Sequence, residues 1–264
     1  MHIHAFDQYR AHDSLIHNLD PRVKVLVTVT FIFSNAFLPD GSWLAFSMAW
    51  LILLFANDLS KLGLGYTFKR SFITLPFALV AVTAIFSPNG KPLAEWHLGF
   101  TTLVPTDFGI IRFFSILIRA WLSVQAAILL VATTQFPDLI HAFEHLRVPR
   151  VLTTIVAFLY RYIFVLTDEA YRLLRARDAR SAGYPGDKYG GSLLWRAKVT
   201  GSMAGQLFLR SYERSDRIYN AMLSRGYTGH LRTLNPHLMT RKDWLVLVMW
   251  LIFILITQFV GWVR

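Results

Sequence analysis

Ala221-Met222-Leu223-Ser224-Arg225-Gly226-Tyr227 repeats, in altered form, an earlier stretch of the chain, Arg177-Asp178-Ala179-Arg180-Ser181-Ala182-Gly183-Tyr184. Each sets an arginine near the end of a predicted helix. Each then supplies a glycine able to take the left-handed backbone conformation that stops the helix. A cation there meets the negative pole of the helix, and a planar guanidinium at a helix tip can bind a carboxylate of another protein through two bonds. The ordinary alternative is a helix cap carrying a solvated arginine. Two copies on one segment weigh against it.

Both stretches lie in Asp168–Lys242, the one long polar segment of the chain. It holds fourteen of the 27 Lys and Arg against six of the 16 acids, so most of the net +11 is concentrated here. Apolar runs precede it, from Val23 to Leu166, and follow it, from Trp244 to Val263. A basic insert between such runs reads as a water-exposed segment held on the cytoplasmic side.

Composition agrees. The 264 residues are 54% hydrophobic, 15% aromatic and only 16% charged, with mean hydropathy +0.41. Soluble domains carry about a quarter charged residues, so an integral membrane protein is expected. The absence of cysteine excludes disulfides, thiolate metal sites and a thiol nucleophile. A pI near 10.1 would suit a nucleic-acid partner, but cations flanking apolar spans follow the positive-inside rule instead. No nucleic-acid partner is expected.

The apolar runs predict spans over Val23–Leu38, Trp43–Ala56, Ser71–Phe86, Phe108–Thr134 and Trp244–Val263. Asp20 reads as the N-cap of the first, with Pro21 at its first position. Pro76 is early enough in the third to kink it without breaking it. In the fourth, Arg112, Ser115, Arg119 and Ser123 fall near one helical face. Snorkelling is expected for Arg112, and either snorkelling or an interior role for Arg119. Val151–Leu166 runs into Asp168-Glu169 without a breaker. It reads as a helix along or dipping into the inner surface, because a further span would carry the basic insert outside.

Within the insert a helix ends near Gly183, a loop follows, and a second helix runs from Ser192 to Arg225. Its first half carries Ala197, Gly201 and Gly205 four residues apart, a smooth stripe against which another helix can cross closely. Its second half carries Phe208, Tyr212, Ser215, Tyr219 and Met222, a mostly apolar seam that calls for a partner.

These features resemble the T component of energy-coupling-factor (ECF) transporters, in particular the CbiQ branch that serves cobalt and nickel uptake. The two arginine stretches look like its paired Ala-Arg-Gly signatures. Leu19-Asp20-Pro21-Arg22-Val23-Lys24, Thr133-Thr134, Leu146-Arg147-Val148-Pro149, Tyr160-Arg161-Tyr162 and Asp168-Glu169 match as well. The second signature fits closely at Ser224-Arg225-Gly226. The first is looser, with Ala179-Arg180 followed by Ser181 and glycine only at Gly183, so Arg177 stands as an alternative to the preferred Arg180.

The resemblance implies an all-α integral membrane protein: about five transmembrane helices with a cytoplasmic pair of long coupling helices. Residues 1–22 would be a cytoplasmic N-terminus, 23–150 the transmembrane bundle, 151–242 the coupling helices and 243–264 the final span. It implies a multi-pass protein of the bacterial inner membrane, serving Co²⁺ import for cobalamin biosynthesis, with Ni²⁺ as the alternative cargo. Its partners would be two ATP-binding-cassette subunits, which bind the ATP and Mg²⁺, a substrate-binding membrane subunit of the CbiM type, and optionally a small accessory membrane subunit. Arg180 and Arg225, with Ala179, Gly183, Ser224 and Gly226, would couple to the ATPases, and Gly201 and Gly205 would hinge the helix crossing.

The chain has no phosphate loop of the form G-x-x-x-x-G-K-[ST] and no zinc-protease or nucleophile signature. It is therefore expected to be non-catalytic, to bind no cofactor and to draw on an ATPase elsewhere. His2 and His4 beside the N-terminus are weak candidates for Co²⁺ or Ni²⁺. A retained, solvated N-terminus without signal peptide is the plainer reading. Two other classes stand beside the coupler. A stand-alone carrier would need an intramembrane acid of which the sequence has almost none, and a membrane-anchored scaffold or enzyme would use the insert to bind acidic headgroups.

Overall fold

A computed structural model describes residues 8–86, 96–97, 102–103, 106–180, 192–229 and 239–263. They form nine α-helices: α1 Pro21–Phe37, α2 Trp43–Ser60, α3 Leu64–Ser71, α4 Leu75–Ala81, α5 Asp107–Thr133, α6 Phe136–His145, α7 Arg150–Arg180, α8 Leu193–Ser224 and α9 Arg241–Trp262. The only extended pairing among the described residues is a two-residue antiparallel ladder, Trp96–His97 (β1) with Thr102–Leu103 (β2). The chain is an all-α membrane protein. It divides into two compact units, Met1–Leu146 with Pro236–Arg264, and Arg147–Asn235.

The first unit is a helical bundle. Asp20 caps α1 by accepting from the Arg22 amide at 2.8 Å, with Pro21 in the first turn, where its missing N–H costs nothing. α1 packs on α5, α6 and α9, and α2 packs on α5 and α9. Between them lies a core of Phe31, Phe46, Leu53, Leu122 and Ile254, with Ala45, Ala49 and Ala126 where helices approach closely. Around this core the outward faces stay apolar: Phe33, Phe37, Leu51, Phe55, Leu245 and Phe259 are all exposed. A rim of that kind is unfavourable in water and favourable in lipid.

Among the described residues four helices are long and apolar enough to cross a membrane, α2, α5, α7 and α9, and a bent pair, if it is one span, brings the number to five. α1, at 17 residues, falls just short of the roughly 20 that an upright span needs. The third expected span differs from its prediction. Leu64–Thr74 and Leu79–Phe86 meet at 50°, with a 3₁₀ turn at Phe72–Thr74 ahead of Pro76. Pro76 lacks the amide that would bond one turn back, and its ring crowds the carbonyl there, so the α-helix breaks rather than bends. Gly109 lets α5 reach this broken segment. A Cβ at that position would stand 2.2 Å from the Ile85 carbonyl oxygen.

The second unit is built on α7 and α8. α7 is one unbroken helix of 31 residues, as expected from the lack of a breaker after Leu166. Its first half buries only Thr153, while Val151, Ile155 and Leu159 are exposed. α8 starts at an N-cap, Ser192, whose hydroxyl accepts from the Trp195 amide. The two helices are tied by Glu169 of α7, which accepts from Arg210 of α8 and lies 3.9 Å from Arg172 of its own helix.

Candidate functional site

The end of α8 is a complete helix stop. The Tyr227 amide donates to the Met222 carbonyl and the Gly226 amide to the Leu223 carbonyl, each at 3.0 Å. These are the 6→1 and 5→2 bonds of a Schellman motif. Gly226 sits at φ +80, a conformation that costs an L-residue about 1–2 kcal/mol, and a Cβ there would meet no atom within 4 Å. Glycine is therefore required by the backbone and not by crowding. Ser224 turns its hydroxyl back to the Asn220 carbonyl at 2.9 Å. This leaves the exposed Arg225 as the charged group at the tip, beside the negative helix pole. Among the described residues it forms no ion pair.

α7 is described as far as Arg180, with Ala179 exposed beside it. The two arginines competing for this tip differ. Arg177 donates Nε at 3.1 Å and a terminal nitrogen at 2.8 Å to its neighbour Asp178, whereas Arg180 has no ion pair among the described residues. Gly183, expected to close this tip, lies outside the described residues, as do His2 and His4. Among the described residues no group of three or more His, Cys, Asp or Glu could hold a metal ion.

Among the described residues no helix crosses at Ala197, Gly201 and Gly205. All three are exposed, and a Cβ built at either glycine would meet nothing within 4 Å. α7 and α8 meet on another stripe, where Val199 and Met203 of α8 share a groove with Leu173 and Ala176 of α7. Two residues of helix amount to about 200° of rotation, so the small stripe points away from α7. In a water-exposed pair the larger apolar side chains gain more from burial than glycines do. Close glycine approach is the solution for helices already surrounded by lipid. The small stripe continues into Phe208, Tyr212 and Tyr219, which are 68%, 65% and 52% exposed. One face of α8 is thus smooth at its start and aromatic toward its tip, with no helix among the described residues of its own unit upon it.

Two charged groups of the bundle proved structural. Arg119 of α5 donates to the Leu38 carbonyl and, at 2.7 Å, to Asp40 in the α1–α2 turn, while Asn35 donates to the Arg119 carbonyl at 2.9 Å. Lys24 is buried and donates to the carbonyls of His17 at 3.0 Å and Thr133 at 3.1 Å, pinning the start of α1 to the end of α5. The sequence marked Arg119 as an intramembrane charge but offered no sign of Asp40 as its partner. The role of Lys24 had no local signal beyond a cation just inside an apolar run.

His17 is held by two neighbours. A carbonyl only accepts, so the 2.9 Å contact with the Arg10 carbonyl fixes the proton on Nε2 and leaves Nδ1 to accept from Ser14 Oγ at 2.7 Å. Burial, with a smaller contribution from Lys24, pushes the imidazole below its usual value.

Residues 12–238 match the family model of CbiQ, described as a cobalt transport protein. The chain is 30% identical over 252 residues to the energy-coupling factor transporter transmembrane protein EcfT of Lacticaseibacillus paracasei, covering 90% of each chain. It is 28% identical to the EcfT of Brevibacillus brevis, covering 98% of each. It is also 28% identical to an uncharacterized protein of Methanocaldococcus jannaschii, covering 90% of this chain and 80% of that one. An apolar helical bundle, a separate pair of long helices and an arginine at the glycine-stopped end of α8 thus coincide with a match along nearly the whole length, and the chain belongs to the CbiQ family.

Proposed function

We propose that this chain is the membrane coupling subunit of an ATP-driven ECF importer, with Co²⁺ as the cargo and Ni²⁺ as the alternative. The name printed for its relatives supports the energy-coupling role, and the description of the family supports cobalt. The single observation that carries the mechanism is the exposed Arg225 on a glycine-stopped helix end, with Arg180 at the last described position of the neighbouring long helix. In this reading each tip inserts into an acidic groove on one of two ATP-binding-cassette subunits, which hold the Mg·ATP. Arg180 is the first coupling arginine, because Arg177 is already engaged by Asp178.

When nucleotide closes the ATPases, α7 and α8 are driven together or apart. The Val199–Met203 stripe keeps the pair in register, and the exposed face of α8 meets the substrate-binding membrane subunit, of the CbiM type, which releases its ion inward. The two tips and the N-terminus lie on the cytoplasmic side of the inner membrane, with α7 starting at the inner surface.

The test is co-purification and uptake. In cells carrying Arg225→Ala, the ATPases are expected to be lost from the detergent-solubilised complex and uptake of radioactive Co²⁺ to fall to background. Normal uptake would overturn the proposal. Competition by Ni²⁺ in the wild type decides which ion is preferred.

A further inference from the structure

We infer that α3, together with Arg10, forms a binding site for an anionic phospholipid. Arg10 and Arg70 both place their guanidinium groups on the ring of Tyr66, at 4.1 and 4.5 Å from its centroid. Neither has a carboxylate partner among the described residues. The positions are built and not incidental. The Arg10 amide donates to the Ala132 carbonyl at 3.1 Å, the Arg10 carbonyl accepts from His17, and Gln8 accepts from Arg70. The Tyr66 hydroxyl is buried and has no hydrogen-bond partner among the described residues. Two guanidiniums held at one ring, with no carboxylate to neutralise them among the described residues, concentrate positive charge, and a phosphate diester, which accepts from planar forks, is the anion that suits them.

The same short helix supplies an apolar crevice. Leu64, Gly65, Thr67 and Phe68 of α3, with Trp50 and Leu53 of α2 and Leu129 of α5, line a lateral opening of about 370 Å³. α3 begins directly after α2, a helix of spanning length. It therefore starts at interfacial depth, ahead of the 50° bend of this segment, where a helix with one basic face and one apolar face rests between headgroups and acyl chains. Phe68, Phe72 and Ile73 are exposed along that level. A free phosphate would use only the cations. A phospholipid uses both the cations and the crevice, and the lipid is the occupant proposed.

Native mass spectrometry of the purified full-length chain, offered equal phosphatidylglycerol and phosphatidylcholine, tests this. The wild type is expected to retain phosphatidylglycerol preferentially. Arg10→Gln with Arg70→Gln should weaken retention by about thirty-fold, on the basis of two surface cations lost, while Lys69→Gln, the neighbouring cation off the ring, should weaken it by no more than about five-fold. Inorganic phosphate in excess should not compete. Equal retention of the two lipids would overturn the inference, as would equal loss with Lys69→Gln or displacement by inorganic phosphate. If the double variant does not fold, Arg70→Lys serves instead. It keeps the charge without the planar fork and should bind several-fold more weakly; unchanged retention would likewise overturn the site.

Discussion

Replacing Gly226 by Ala perturbs the proposed coupling tip through the backbone alone. No atom lies within 4 Å of the added Cβ, so there is no clash to relieve and the folded tip keeps its bonds at φ +80 only under strain. That strain is about 1–2 kcal/mol. The alternative is to give up the two 3.0 Å bonds from Gly226 and Tyr227, each worth about 1 kcal/mol net. The two routes cost alike, so the variant should divide about evenly between a strained tip and a frayed one, with Arg225 presented correctly in about half of the molecules. Affinity for the ATPases should then fall about two-fold, much less than the loss on removing Arg225 itself. Asn at 226 should recover most of it, since Asn tolerates the left-handed region better than other L-residues. Binding of purified ATPase subunits to the chain in nanodiscs, measured for wild type, Gly226→Ala, Gly226→Asn and Arg225→Ala, reads this order directly. Equal binding by Gly226→Ala and wild type would refute the reasoning, as would Asn failing to improve on Ala.

Three further outcomes are expected. Arg180→Ala should release the ATPases in the same assay while Arg177→Ala leaves them bound, because Asp178 already occupies Arg177; the reverse order would reassign the first tip. Arg119→Met should destabilise the bundle by about 3 kcal/mol, since it leaves Asp40 and the Leu38 carbonyl unpaired inside it, and thermal unfolding in detergent should show a lowered Tm. The lowered His17 pKa means that the folded chain resists a proton which the unfolded chain accepts. Its contribution is therefore fully present above about pH 6.5 and is lost as pH falls through that value toward the folded pKa. Wild-type Tm should drop between pH 7 and pH 5, and His17→Gln should flatten that drop.

Legibility followed the range of the interactions. Asp20 capping α1, Pro21 in its first turn and Gly226 closing α8 each act within one helical turn, so residue type and spacing were enough to foresee them. The apolar runs were equally plain, because a bilayer demands length and composition and little else. Pro76 shows where local reading stops. Its position foretold a defect, but not the 50° angle between the two halves or the close approach of α5 at Gly109 to the Ile85 carbonyl.

The sequence by itself determined the membrane class, the polar insert between apolar runs and the two arginine-bearing helix ends, because all three are set by composition or by contacts within a turn. Tertiary structure alone decided the rest. Arg119 meets Asp40 across 79 positions of chain and Lys24 reaches Thr133 across 109, and α8 turns Val199 and Met203 toward α7 while leaving Gly201 and Gly205 open. A stripe of small residues and a stripe of larger ones both satisfy a helical period, and only the partner helix, by burying the one that gains more, chooses between them.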